Sequence, residues 1–144
     1  MKVAPLKVPR GYMMRARAES TTKTRERILD AVIALSEERL SVEIVLADVA
    51  ERARVSVQTV LRHFGSRQGL FERALARQTA RVRAERATPV GDAASAVNTI
   101  VAFYDRLGEW TLRLQAQEHG DNLSRQTVEL GRRVHREWVD QVFA

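Results

Sequence analysis

The sequence predicts an all-α fold, and three observations carry that expectation. Apolar residues recur at helical spacing along the chain, no stretch shows the apolar-polar alternation of a half-buried strand, and glycine, proline and polar clusters fall between the helical stretches. With 144 residues, 44% of them hydrophobic, the chain can bury one ordinary core or two small helical ones. It has no cysteine, which excludes disulfides, thiolate metal sites and cysteine nucleophiles together. Lys2, Lys7 and Arg10 lie near the amino terminus without an apolar run of signal-peptide length, and no segment is apolar for the length of a bilayer. The expectation is therefore a soluble, cytoplasmic protein.

Residues 1–22 hold Pro5, Pro9 and Gly11 among scattered Lys and Arg, and read as a flexible basic arm. Such an arm either tracks phosphates beside a main nucleic-acid contact or is an inert tail. A first helix is expected from about Lys23 to Arg39, with Ile28, Ala31, Val32 and Leu35 as its apolar stripe and Thr22 or Thr24 as its cap. Thr24 and Arg25 would then lie at its amino end, where free N–H groups and the helix dipole favour a phosphate.

Two short amphipathic helices follow, separated by a tight turn. Leu46, Val49, Ala50 and Ala53 share one face of the first, and Val57, Val60, Leu61 and Phe64 repeat the pattern in the second. Between them lie Arg54, Val55 and Ser56, and Ser56 can accept a hydrogen bond from the second helix's first turn. About two turns long, that helix needs neighbours to hold it by its apolar face. Gln58, Thr59, Arg62 and His63 are left pointing outward, all types that bond base edges or phosphates. This is the pattern of a helix-turn-helix.

Gly65-Ser-Arg-Gln-Gly-Leu70 is a turn by composition, with Arg67 near enough to reach DNA. A fourth helix then buries Leu70, Phe71, Ala74, Leu75 and Val82. Its Arg73, Arg77, Arg81, Arg83 and Arg86 read as a solvated face. Thr88-Pro-Val-Gly-Asp92 stops that helix, and the aspartate can start the next. Downstream, Ala93, Ala96, Val97, Ile100, Val101, Tyr104 and Leu107 form another stripe. After the break His119-Gly-Asp-Asn122, a last helix from about Ser124 places Leu130, Val134 and Trp138 four apart.

Charge divides as the helices do. Residues 1–84 carry 17 Lys+Arg against 9 Asp+Glu, net +8, and residues 85–144 carry 7 against 9, net −2. The whole excess of +6 therefore lies with the helix-turn-helix, as a surface meeting a polyanion requires.

Thr24-Arg-Glu-Arg-Ile-Leu-Asp-Ala31, Asp48-Val-Ala-Glu-Arg-Ala53, Val55-Ser56, Thr59, His63-Phe64 and Ser66-Arg67-Gln-Gly-Leu70, in that order and spacing, resemble the amino-terminal domain of TetR-type transcriptional regulators. The resemblance covers roughly residues 23–75. It implies a homodimer that binds a palindromic double-stranded DNA operator, with a helical second domain that pairs the subunits and takes a small-molecule effector that releases the DNA. Repression is what the family implies by default. The domains would be a DNA-binding domain over 23–84, its helix-turn-helix at 45–64, and the start of the effector-binding and dimerisation domain over 85–144. Ser56, Gln58, Thr59, Arg62, His63 and Arg67 match positions that face DNA in the family.

The chain departs from the family at several points. Leu40 and Arg54 stand where glycine is usual, so these turns are either rebuilt or strained. Leu61 replaces a usual tyrosine that often contacts phosphate, Val45 replaces a capping threonine or serine, and Ser36 replaces an aromatic, implying a smaller core there. The sequence also ends within an amphipathic helix whose Trp138, Val142 and Phe143 need a cover, which predicts a fragment of a longer protein.

No enzyme is expected. His63, His119 and His135 stand apart, and HExxH, GxSxG and Gly-rich phosphate loops are missing. Glu118, His119 and Asp121 are a conceivable metal set, but their place in a polar break reads as a hydrated loop, and neither metal nor cofactor is expected. A DNA-binding module without ligand gating, such as an architectural protein or an antitoxin, is the alternative, though it has no need of residues 92–144. In a ligand-gated protein Tyr104, Trp110 and Trp138 would line the effector chamber, unless they are ordinary core.

Overall fold

A computed structural model describes residues 10–144. Among the described residues there is no strand, and the six helices are α1 (Arg10–Glu38), α2 (Leu46–Ala53), α3 (Val57–Phe64), α4 (Arg67–Glu85), α5 (Ala93–Ala116) and α6 (Asn122–Val142), with a 3-10 turn at Ser41–Glu43. The helical fold class is therefore as the sequence predicts.

The first helix begins thirteen residues before the expected Lys23, at Arg10. The arm expected over 1–22 is thus helical from Arg10 onward, and its Pro5 and Pro9 lie outside the described residues. No glycine or proline follows Gly11 in this helix, and Met13 to Glu19 are mostly good helix formers. Thr22 is not a cap, because its hydroxyl donates to the Ala18 carbonyl at 3.0 Å within the running helix. Thr21 does the same to Arg17 at 2.9 Å.

Ile28, Val32 and Leu35 of α1 meet Val49 of α2, Val60 of α3 and Leu70 of α4 in one buried cluster, closed below by Ile44. Each such side chain contributes about 1.5–3 kcal/mol by leaving water. The ion pairs that surround the cluster contribute less, about 0–1 kcal/mol each at an exposed site. Their effect is to commit acids: Glu38 binds both arms of Arg52 at 2.6 and 2.8 Å, and Arg77 joins α4 to Glu26 and Asp30 of α1, each at 2.8 Å.

The two turns that lack the usual glycine resolve differently. Leu40 takes an extended conformation, φ −65° and ψ 140°, so that turn is rebuilt without strain. Arg54 instead occupies the left-handed region at φ 54° and ψ 51°. It closes α2 as glycine would: the Val55 N–H bonds to the Ala50 carbonyl at 2.9 Å and the Arg54 N–H to that of Glu51 at 3.0 Å, the paired bonds of a Schellman motif. Among the described residues it is the one non-glycine with positive φ.

Helix α4 leaves the first cluster and continues against α6. Asp92 caps α5 by accepting from the Ser95 N–H at 2.9 Å, and Asp121 caps α6 by accepting from that of Ser124 at 2.8 Å. Gly91, at φ 79°, turns the chain so that its N–H donates to the Val142 carbonyl at 2.7 Å. Val142 is therefore buried and Trp138 half-buried beneath the α4–α5 connection, leaving Phe143 as the exposed member of that apolar end. The expected stripe of α5 splits: Ala96 and Leu107 are buried, whereas Val97, Val101 and Tyr104 face solvent, and Phe103, outside the expected stripe, is buried instead, because α6 packs along one side of α5 only.

Candidate nucleic-acid interface

The second helix of the predicted pair is α3, and its start is built as expected. Ser56 accepts a hydrogen bond from the Thr59 N–H at 3.1 Å, satisfying a free donor of the first turn. Gly65, at φ 77°, ends the helix, and Ser66 caps α4 one residue later by accepting from Gly69 at 3.0 Å. The stop and restart are so close that a side chain at Gly69 would collide with the Phe64 carbonyl oxygen. That close approach explains the glycine and holds α3 against the start of α4.

Burial of α3 differs from the sequence pattern. Val60 alone is fully buried, with Phe64 packed against the same cluster. Val57 and Leu61, assigned to the apolar stripe, are 37% and 39% exposed. With only two turns, α3 can turn a narrow edge inward, and residues at offsets 0 and 4 from Val57 fall outside it. The outward face is therefore Val57, Gln58, Leu61 and Arg62, a stripe that mixes two apolar side chains with an amide and a guanidinium. The apolar pair was hidden in the sequence because its spacing equals that of a buried stripe.

Thr59 and His63, expected to point outward, are half-buried. Thr59 shares a 2.9 Å hydroxyl bond with Ser56 and accepts a long 3.4 Å bond from Arg62. Burial first, then the nearby charges of Arg62 and Arg25, hold His63 below the usual histidine range and so neutral at pH 7.

Thr24 and Arg25 do not sit at a helix amino end, because α1 has already run for more than a dozen residues before them. Their backbone N–H groups are spent inside the helix and offer a phosphate nothing. Arg25 instead reaches the carboxyl end of α3, donating to the His63 carbonyl at 3.2 Å and lying 4.8 Å from the Phe64 ring centre. Arg67 is likewise engaged: it donates to the Ile44 carbonyl at 3.0 Å and to that of Ser41, and lies 4.5 Å from the Phe71 ring centre. Arg25 thus braces α3, whereas Arg67 ties the start of α4 to the turn at Ser41–Ile44. Arg62 on the outward stripe and Arg54, exposed in the turn before α3, form no ion pair among the described residues.

Val45, which lacks a capping oxygen, leaves α2 to be capped from inside. The Asp48 carboxylate accepts from the Val45 N–H and from Arg39, both at 3.2 Å. At Ser36 the smaller core takes the form of a gap of about 60 Å³, lined by Ile33, Ser36, Phe71 and Trp110.

Behind the helix-turn-helix, α4, α5 and α6 enclose a cavity of about 190 Å³. Tyr104 and Trp110 line it, but Trp138 does not; its indole N–H donates to the Arg86 carbonyl at 2.6 Å and fastens α6 to the end of α4. Arg86, placed by the sequence on a solvated face, is 5% exposed and covers the Phe103 ring 3.7 Å from its centre. The signal was present in the spacing, since Arg86 lies four residues after Val82 on the buried side. Desolvation pushes its pKa down, with the neighbouring Tyr104 opposing.

The break at 117–121 serves as a joint between the halves. Glu118 binds Arg132 at 2.5 and 2.8 Å, while Asp121 accepts from the Ser41 hydroxyl at 3.0 Å. The two carboxylates of the conceivable metal set are thus engaged by an arginine and a serine. Arg113 of α5 reaches the last carbonyls of α1, at Glu37 and Glu38, where the helix dipole favours a cation.

Residues 43–74, from the end of the 3-10 turn into α4, match the family model of bacterial regulatory proteins of the tetR family. No curated protein and no solved structure matches the chain.

Proposed function

We propose that the chain is a DNA-binding transcriptional regulator, which its match to the tetR family model over residues 43–74 supports, and that it acts as a cytoplasmic repressor. It binds a palindromic operator as a homodimer and lets go when a small molecule enters the second half. The observation that carries the reading is the outward face of α3, where Val57, Gln58, Leu61 and Arg62 project from a helix capped at Ser56 and braced by Arg25.

On this reading Gln58 and Arg62 hydrogen-bond base edges in a major groove, while Val57 and Leu61 meet thymine methyl groups. Ser56 lies toward the phosphates; Thr59, His63 and Arg25 act by holding the helix in place, and Arg67 by fixing the start of α4 to the turn before α2. The unpaired cations Arg54 and Arg62 add attraction for the phosphate backbone. Support for pairing comes from the exposed apolar stripe Val97, Val101 and Tyr104 on α5, which a second copy would cover. Support for ligand control comes from the cavity and from the joint at Asp121 and Ser41, which ties the cap of α6 to the turn that Arg67 grips. A ligand that shifts α6 would move the turn that leads into α2 and the start of α4 tied to it.

The test is selection of random duplexes by the purified protein. A palindrome with half-sites roughly one helical turn apart, or a small multiple of it, is expected. Recovery of unrelated sequences with no common half-site would refute operator binding.

A further inference from the structure

The cavity between α4, α5 and α6 is lined by residues with buried polar atoms that nothing among the described residues satisfies. Arg86 Nε, Trp110 Nε1, His135 Nδ1 and Gln78 Oε1 all belong to residues that line it, Gln78 and Trp110 bordering the smaller gap at Ser36 as well, and none of these atoms has a hydrogen-bond partner among the described residues. Two are obligatory donors, since neither a guanidinium nor an indole N–H can accept a bond. Both call for an acceptor from outside the chain.

Charge narrows what that acceptor is. Arg86 is almost wholly buried and forms no ion pair among the described residues. No aspartate or glutamate lines the cavity, and its other cation, Arg132, is already paired with Glu118. Water in the cavity would satisfy N–H groups but bring no counter-charge to a cation that has only the Phe103 ring and Tyr104 beside it. An anion does both, and a carboxylate matches the fork of a guanidinium. The rest of the wall is apolar, with Val82, Phe103, Leu114, Val128 and Val134, so the body of the molecule must be hydrocarbon. A volume of about 190 Å³ is close to the roughly 150 Å³ of a cavity that holds a benzene ring.

We propose that this cavity binds a small, single-ring or similarly sized apolar carboxylate, with its carboxylate on Arg86 and its ring against Phe103 and Trp110. The proposal names the chemical class of the effector and so rests on the ligand-gated reading above, though binding can be measured without DNA.

The experiment titrates the full chain with benzoate and, as a neutral isostere, benzamide, at constant ionic strength. Binding is followed by tryptophan fluorescence, since Trp110 is in the wall, and by calorimetry. Benzoate is expected to bind saturably and at least tenfold tighter than benzamide. Arg86→Gln should abolish the preference, and Arg86→Lys should keep part of it. Circular dichroism of the variants checks the fold, and the benzoate-to-benzamide comparison on the unaltered protein needs no variant. Equal binding of the two probes, a preference that survives Arg86→Gln in a folded variant, or no binding of either up to about 10 mM overturns the proposal. Saturable, Arg86-dependent benzoate binding that leaves operator affinity unchanged upholds it and refutes effector release. Loss of the operator selection alone refutes only the DNA reading.

Discussion

Replacing Arg54 with glycine should make this protein more stable, because the structure holds a long side chain where the backbone is left-handed. A non-glycine residue at φ 54° and ψ 51° carries about 1–2 kcal/mol of steric strain. Glycine removes that strain but adds freedom to the unfolded chain, which offsets about 0.4–1 kcal/mol. The net gain is about 0.5–1 kcal/mol. The Schellman bonds from Val55 and Arg54 use backbone atoms and survive the change. Arg54→Ala is the control, since it removes the guanidinium while keeping a Cβ in the strained position. Thermal unfolding followed by circular dichroism should place Arg54→Gly roughly 1–4 °C above the parent for a chain of this size, and Arg54→Ala at or below it. If Arg54→Gly melted no higher than Arg54→Ala, the turn would not be storing strain, and the tight geometry between α2 and α3 would need another explanation.

Gly69→Ala should act oppositely, lowering the urea midpoint by the equivalent of about 1–3 kcal/mol as α4 is pushed off the Phe64 carbonyl; an unchanged midpoint would mean the contact yields freely. Arg62→Ala should relax base preference at a cost of about 1–3 kcal/mol if the contact is bidentate, whereas Arg25→Ala should weaken all duplexes alike by loosening α3, and competition with scrambled operators separates the two. Asp121 supplies a pH test. Desolvation raises its pKa, but the hydrogen bonds from Ser124, Leu123 and Ser41 outweigh that and leave it lowered. Its contribution is therefore present above the unfolded aspartate value near pH 4 and is lost as pH falls through the lower folded value. Asp121→Ala should cost about 0.5–2 kcal/mol at pH 7 and progressively less below pH 4. Equal losses in urea unfolding at pH 7 and pH 3 would count against that cap.

Much of this was legible in the residues, and the failures have identifiable physical causes. Periodicity located α2 to α6, and Ser56 and Asp92 were readable as helix starts because short oxygen-bearing side chains meet free N–H groups there; Ser66 and Asp121, read as parts of breaks, cap helices in the same way. The start of α1 was missed because basic composition was taken for mobility, although Met13 to Glu19 carry no helix breaker. Val57 and Leu61 were placed inward because an apolar pair four apart looks the same whether it faces a core or a partner. Arg25 and Arg67 read as free cations since a sequence does not show which carbonyls will lie within reach. Arg86 was misplaced for the converse reason: charge suggested solvent, while its spacing from Val82 put it on the buried side.

Duplex recognition by α3 is tested most directly by measuring the protein's affinity for its selected duplex as salt is raised. Binding through the basic half gives a steep linear fall of log affinity with log salt, about 0.9 units of slope for each phosphate neutralised. Replacing thymine by deoxyuridine in each half-site at a fixed salt should weaken binding further through loss of the methyl contacts of Val57 and Leu61. A salt-independent affinity, or none detectable at low salt, would contradict DNA binding by this surface.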